Sequence, residues 1–155
     1  MKLIDAALLD EVSAEAAASP RQRKNRNFHP HNDFPAHRLL NAIEPGSYIA
    51  PHRHLDPLKD ETMVVLRGSL GLVIFDESGG IVNVERLAAG GEKLGVDIPH
   101  GTYHSLVALE SGTIFLEAKS GPYTALSAAE QAAWAPVEGA PEAAAYYARL
   151  AALFA

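Results

Sequence analysis

Gly46-Ser-Tyr48-Ile-Ala-Pro-His52-Arg-His54-Leu-Asp-Pro-Leu-Lys-Asp-Glu61-Thr-Met-Val-Val-Leu-Arg-Gly68 is the stretch on which the fold turns. His52 and His54 stand two apart, so in an extended strand both imidazoles leave the same face. Asp56, Pro57 and Asp60 mark a turn, after which Glu61 opens the apolar run Met63 to Leu66. Strand, turn and returning strand bring a carboxylate back beside two imidazoles, a set suited to a divalent transition ion. His104, in Pro99-His-Gly101-Thr-Tyr-His104, is the fourth candidate ligand.

The surrounding pattern is that of a β protein. From His37 onward, short runs rich in β-branched and aliphatic residues alternate with turn residues. They are 37–43, 48–54, 62–67, 70–75, 81–87, 93–98, 103–109 and 113–119. Eight short strands so spaced predict an antiparallel sandwich or barrel and no βαβ unit. Parity fits an interior site. His52 and His54 share it with Tyr48 and Ala50, Glu61 with Met63 and Val65, and His104 with Leu106 and Ala108. Each potential ligand sits in an otherwise apolar row, where ionisable groups without a partner are costly and a cation removes the cost.

Helical signals flank the strands. Asp5 caps a predicted helix over 6–18, with Leu8, Leu9, Val12 and Ala16 in a stripe and Pro20 closing it. Arg21-Gln-Arg23-Lys-Asn-Arg26-Asn-Phe28 is locally basic; it reads first as a solvated loop, and more sharply as an anion clamp formed by Arg21, Arg23 and Arg26. His29-Pro-His31 repeats the His-x-His spacing, but Pro30 and Pro35 mark it as loop. Ser127 to Glu130 forms a capping box that predicts a short helix to Trp134, and Pro141 starts a final helix to about Leu153. The segments 1–36 (helix and basic arm), 37–120 (barrel) and 121–155 (helical extension) are expected to form one structural domain.

Composition narrows the classes. The chain has 155 residues, 48% hydrophobic and 21% charged, which suits a soluble globular protein. A net charge of −6 opposes a general nucleic-acid surface. Without cysteine there is no disulfide and no thiolate ligand. The N-terminus lacks a signal-peptide core and no apolar run spans a bilayer, so a cytoplasmic protein without membrane contact is expected.

Gly46, His52, His54, Glu61 and Gly68 resemble the first signature of the cupins, with six residues between His54 and Glu61 where three or four are usual. Pro99, Gly101 and His104 resemble the second, although Lys93 stands in place of its leading Gly and Ala108 in place of its Asn. Arg21–Phe28, His37–Ala42, Ser105–Glu110, Gly121-Pro-Tyr123 and Trp134–Gly139 are similar to the WbuC-type cupin-fold metalloproteins, some of which are encoded among bacterial surface-polysaccharide genes. The resemblance implies a mainly β protein, a single cupin (double-stranded β-helix or jelly-roll barrel) with an N-terminal helix and C-terminal helices, paired as a homodimer.

With His52, His54, Glu61 and His104 as metal ligands, one divalent Fe, Mn, Ni, Co or Zn ion keeps open positions for a small molecule. Glu61 is then no free base, and Tyr48, Glu117, Tyr103 or a loop histidine must serve. Lys119 and Glu117 line the mouth or form a surface charge pair. Three functions follow: an isomerase or epimerase of a sugar or sugar phosphate, its anion held by Arg21, Arg23 and Arg26; an Fe(II)-dependent dioxygenase; or a non-enzymatic, metal-anchored ligand-binding cupin.

Overall fold

Alternation places the strands. In Glu61–Arg67 the residues Glu61, Met63 and Val65 are buried and Thr62 and Val64 exposed, so one face of this strand turns to a core and the other away. A computed structural model describes residues 1–155. Its elements run α1 (Ala6–Ala18), β1 (Arg23–Asn27), β2 (Ala36–Ile43), β3 (Glu61–Arg67), β4 (Ser69–Phe75), β5 (Ile81–Ala88), β6 (Gly95–Ile98), β7 (Tyr103–Ala108), β8 (Thr113–Ser120) and α2 (Ala143–Ala151). No helix is long and apolar enough to cross a membrane.

The strands form two antiparallel sheets, ordered β1-β2-β8-β3-β6 and β5-β4-β7. Their inner faces close on a core of Ile43, Met63, Val65, Leu70, Leu72, Leu87, Ile98, Leu106, Ala108 and Phe115. Outside the first sheet, Val12 and Ala16 of α1 pack on Leu40, Ala42 and Ile114. Outside the second, Leu150 of α2 packs with Val73, Phe75, Tyr103 and Val107. The strands beneath the helices are thus covered on both faces, which is why β7 is buried at every position although it ends its sheet. Burying one such aliphatic side chain contributes roughly 1.5–3 kcal/mol. Asp5 caps α1 by accepting from the Leu8 N–H at 3.0 Å, as its sequence predicts.

Three expectations are corrected. Residues 48–54 do not form a strand; only His52 makes isolated β-bridges, to His104 and Gln131. The basic stretch supplies a strand instead, since Arg23–Asn27 pairs along β2 from Arg23↔Ile43 to Asn27↔Leu39. An edge strand held by its backbone needs no apolar alternation, so the pattern was silent there. Ser127–Trp134 is not a helix. The Ser127 N–H and hydroxyl do reach Glu130 Oε2, at 2.9 and 2.7 Å, yet the backbone then turns to another use. Arg53 N–H donates to the Glu130 carbonyl at 2.9 Å and Ala132 N–H to the Pro51 carbonyl at 3.1 Å. The segment clips down the His52–His54 stretch.

Register brings the polar interior together. Across the first sheet His37 pairs with Lys119 and Lys119 with Glu61, and Glu61 pairs with Ile98. Side chains so paired share a face. In the second sheet His104 pairs with Ile74, and the bridge to His52 extends that row.

Candidate metal centre

Where these two rows meet, ligand atoms of His52, His54 and Glu61 lie within 4.8 Å of one another. His54 Nε2 is 3.0 Å from Glu61 Oε1. His104 falls outside that trio and approaches the other carboxylate oxygen, Nε2 standing 3.1 Å from Glu61 Oε2. Arg53 turns the opposite way, over the Tyr103 ring at 4.2 Å and onto Glu77 at 2.6 Å, so alternation holds here without a strand.

Backbone carbonyls fix the tautomers. His52 Nδ1 lies 3.0 Å from the Ala50 carbonyl and His104 Nδ1 3.0 Å from that of Thr102. A carbonyl only accepts, so each Nδ1 carries the proton and the neutral ring leaves Nε2 bare. Orienting a ligand imidazole through its other nitrogen is the arrangement metal sites use. Burial, aided by the nearby His104, pushes the His52 pKa down to about 3, so the ring is neutral at ordinary pH. His104 Nε2 and Glu61 Oε2 are both buried and have no hydrogen-bond partner. Two acceptors held 3.1 Å apart with no proton between them fit a shared cation, so the residues present suit a divalent metal.

Glu61 also has an internal partner. Lys119 Nζ is 2.6 Å from Glu61 Oε1 and 2.6 Å from Glu117 Oε1. Asn41 donates to Glu117 Oε2 at 2.7 Å, completing a polar chain across three strands. Burial pushes the Glu61 carboxyl up, but the hydrogen bond with His54 and the charge of Lys119 act the other way, and the group is held far below the carboxylate range. Burial lowers the Lys119 pKa, and the charges of Glu117 and Glu61 more than reverse that. Lys119 is thus part of the centre and no loose residue at its mouth.

A cavity of about 310 Å³ opens onto His52 and His54, lined also by Arg21, His37, Lys59 and Lys119. His37 is 4% exposed, and its Nε2 lies 3.0 Å from the Asn32 carbonyl, which fixes the proton there. Its ring stacks on His29 at 4.0 Å. Burial pushes the His37 pKa below its ordinary value, against the Asn32 hydrogen bond, and His29, Lys119 and Lys59 push the same way. Gly121 closes this wall: a Cβ there would meet the Phe34 carbonyl oxygen at 1.9 Å and His37 Nε2 at 2.6 Å. A larger cleft of about 630 Å³, lined by Leu72, Leu87, Leu94 and Ile98, opens along β5 and β6 and includes none of these ligands.

The remaining sequence candidates lie elsewhere. The Tyr48 hydroxyl donates to the Pro136 carbonyl at 2.8 Å and does not line the cavity; burial, then Tyr146, pushes its pKa up, which disfavours a base. Arg21 makes two hydrogen bonds to Glu138, at 2.8 and 2.6 Å, and Arg23 a third at 2.6 Å. Arg26 reaches Glu11 and Glu15 of α1 at 2.9 and 2.7 Å. The three arginines are therefore already paired and form no free clamp. Sequence reading missed Lys59 and His37. Lys59 sits in the turn that exceeds the usual motif length, and His37 shares an inward row with Lys119 and Glu61.

The family model for DUF6016, a domain of unknown function, matches residues 4–87. The chain belongs to the DUF6016 family. Among solved structures, this DUF6016 protein is similar to KdgF from Halomonas sp., at 21% identity and TM-score 0.52, over 68% of this chain and 84% of that one. It is similar to the conserved protein SPY1581 of unknown function from Streptococcus pyogenes, at 17% identity and TM-score 0.52, over 79% and 90%. A variant of oxalate decarboxylase from Bacillus subtilis overlays at TM-score 0.48 and 24% identity, over 63% and 24%. No curated protein matches the sequence. The two sheets, flanking helices and first two likenesses make the DUF6016 fold a single cupin jelly roll.

Proposed function

We propose that the protein is a metal-dependent cupin that acts on a small molecule in the cavity beside His52 and His54. The observation that carries this is the pair of buried acceptors, His104 Nε2 and Glu61 Oε2, facing each other 3.1 Å apart without a proton donor. His52, His54 and Glu61 hold the ion with His104. A divalent ion so held is a Lewis acid that polarises a carbonyl and an adjacent hydroxyl.

The finer reading is an isomerase or epimerase of a sugar or sugar phosphate. His37 is the base: Nε2 is committed to Asn32, and the lone pair on Nδ1 takes the proton from the carbon beside the carbonyl. Lys119, held between Glu61 and Glu117, keeps Glu61 ionised for its ligand role. A homodimer and a place in surface-polysaccharide synthesis rest on the resemblance to the WbuC-type proteins.

Metal analysis of protein purified without an affinity tag tests the centre, with about one ion per chain expected in wild type and none in a His52→Ala, His104→Ala double variant. Deuterium exchange next to the carbonyl, followed by NMR over a panel of sugars and sugar phosphates, tests the reaction. Exchange that requires His37 is expected. Oxygen uptake with Fe(II) and no exchange replaces isomerisation with the dioxygenase reading, and tight binding without turnover replaces both with a binding protein.

A further inference from the structure

We propose that Lys59 anchors an oxyanion, a carboxylate or phosphate, on the small molecule that the cavity takes. This rests on the reading of that cavity as the ligand site. The cavity is polar, with only 2 hydrophobic residues among the 12 that line it, so its occupant is polar as well.

The cations around it differ in one respect. Arg21 is bound through two hydrogen bonds to Glu138. Lys119 lies between Glu61 and Glu117. Lys59 has no carboxylate within ion-pair distance, although it is only 6% exposed. Its ammonium donates to the Pro122 carbonyl at 3.0 Å and to Thr124 Oγ1 at 3.4 Å. An ammonium has three N–H donors, and the third finds no acceptor in the protein. The acids beside it are engaged elsewhere: Asp56 accepts from the Leu58 N–H at 2.9 Å, and Asp60 binds the His100 backbone and ring at 2.7 and 2.8 Å.

A buried ammonium with neutral partners alone is costly. Here it borders the same cavity as His52 and His54, in a chain whose net charge is −6. An oxyanion there supplies the missing charge and the missing acceptor together. The extended turn between His54 and Glu61 thereby gains a purpose, since it is the segment that delivers Lys59. The Lys59 N–H donates to the Asp56 carbonyl at 2.9 Å, which closes the turn. Anion capture at this point moves the role expected of the arginines to a lysine that has no counter-ion.

The test is calorimetric titration of inorganic phosphate and of succinate, at fixed ionic strength, into wild type, Lys59→Met and Lys59→Arg, each with and without Zn(II). Metal affinity is measured separately by chelator competition. Wild type is expected to bind one of the two anions, Lys59→Met to lose about tenfold or more of that affinity, the size of a charged hydrogen bond, and Lys59→Arg to regain most of it. The anion that binds tighter names the substrate's charged group. Wild-type affinity in Lys59→Met, or no binding of either anion to wild type, overturns the proposal. Should Lys59→Met not fold, wild-type crystals soaked in the two anions decide: density within hydrogen-bond reach of Lys59 Nζ upholds it, and its absence there overturns it. Loss of zinc binding with retained, Lys59-dependent anion binding defeats the metal reading and leaves this one standing; intact zinc binding with no anion effect does the reverse.

Discussion

The chain carries the triplet His-x-His twice, and the two copies have opposite fates. His52 and His54 converge on Glu61, with ring centroids 5.6 Å apart. In the other copy His29 is buried and stacked on His37, while His31 is exposed and sets its ring against the edge of Phe34 at 5.9 Å. Neither triplet lies in a regular strand. What separates them is how the backbone is held. Residues 51–53 are pinned from two sides, by His52–His104 pairing and by the clip from residues 130–132. Spacing sets which side chains can share a face; long-range backbone hydrogen bonds decide whether they do.

The largest effect expected from breaking the first triplet is loss of metal. His52→Ala should weaken divalent-metal affinity by more than the roughly 10–100-fold typical of losing an outer partner of a ligand, read by chelator competition. His29→Ala should leave that affinity unchanged. Its imidazole nitrogen lies 3.2 Å from the Arg38 backbone N–H, so its loss is instead expected to destabilise the fold by about 1–3 kcal/mol, measured by urea unfolding. Equal metal loss in both variants would erase the distinction between the triplets.

The Glu130 side chain braces the clip and also stands 4.0 Å from His54 Nδ1. Glu130 accepts from the Leu55 N–H at 3.1 Å and ties it to Ser127. Glu130→Ala should lower metal affinity about tenfold by releasing the His54 end. Unchanged affinity would mean that the backbone bonds of the clip and the bridge at His52 suffice without the Glu130 carboxylate.

The smallest effect concerns the basic arm. The hydrogen bond from Arg21, with further help from Arg23, holds the Glu138 carboxyl down at about 2. A depressed carboxyl contributes stability above its unfolded pKa of about 4.3 and loses it as pH falls through the folded value. The contribution should therefore fade between about pH 4.3 and about pH 2. Glu138→Gln should flatten acid unfolding in that window, with little change at neutral pH because the pair is partly exposed.

Much of the sheet was legible because β2, β3, β4, β7 and β8 bury alternate or continuous apolar residues between turn signals. The convergence of the candidate ligands was legible in part, because Glu61 and His104 fall in phase with buried apolar rows of β3 and β7, whereas His52 and His54 reach the same place without a strand. What escaped notice depended on partners distant in sequence. Arg21 is 117 residues from Glu138, so the basic stretch looked free when it was paired. β1 shows no apolar alternation because its partner strand holds it through the backbone. The Ser127–Glu130 signature does encode the local hydrogen bonds of a capping box but opens no helix, since the next carbonyl and N–H pair with residues 53 and 51.

Lys119 has a consequence for how the protein matures. Because its ammonium already neutralises Glu61 within the barrel, the acid is not left as a bare charge when no ion is bound. If the proposed metal reading holds, the newly made chain can therefore complete its barrel first and acquire an ion afterwards. Folding and loading become separable events, and a chelator should empty the vessel without melting it.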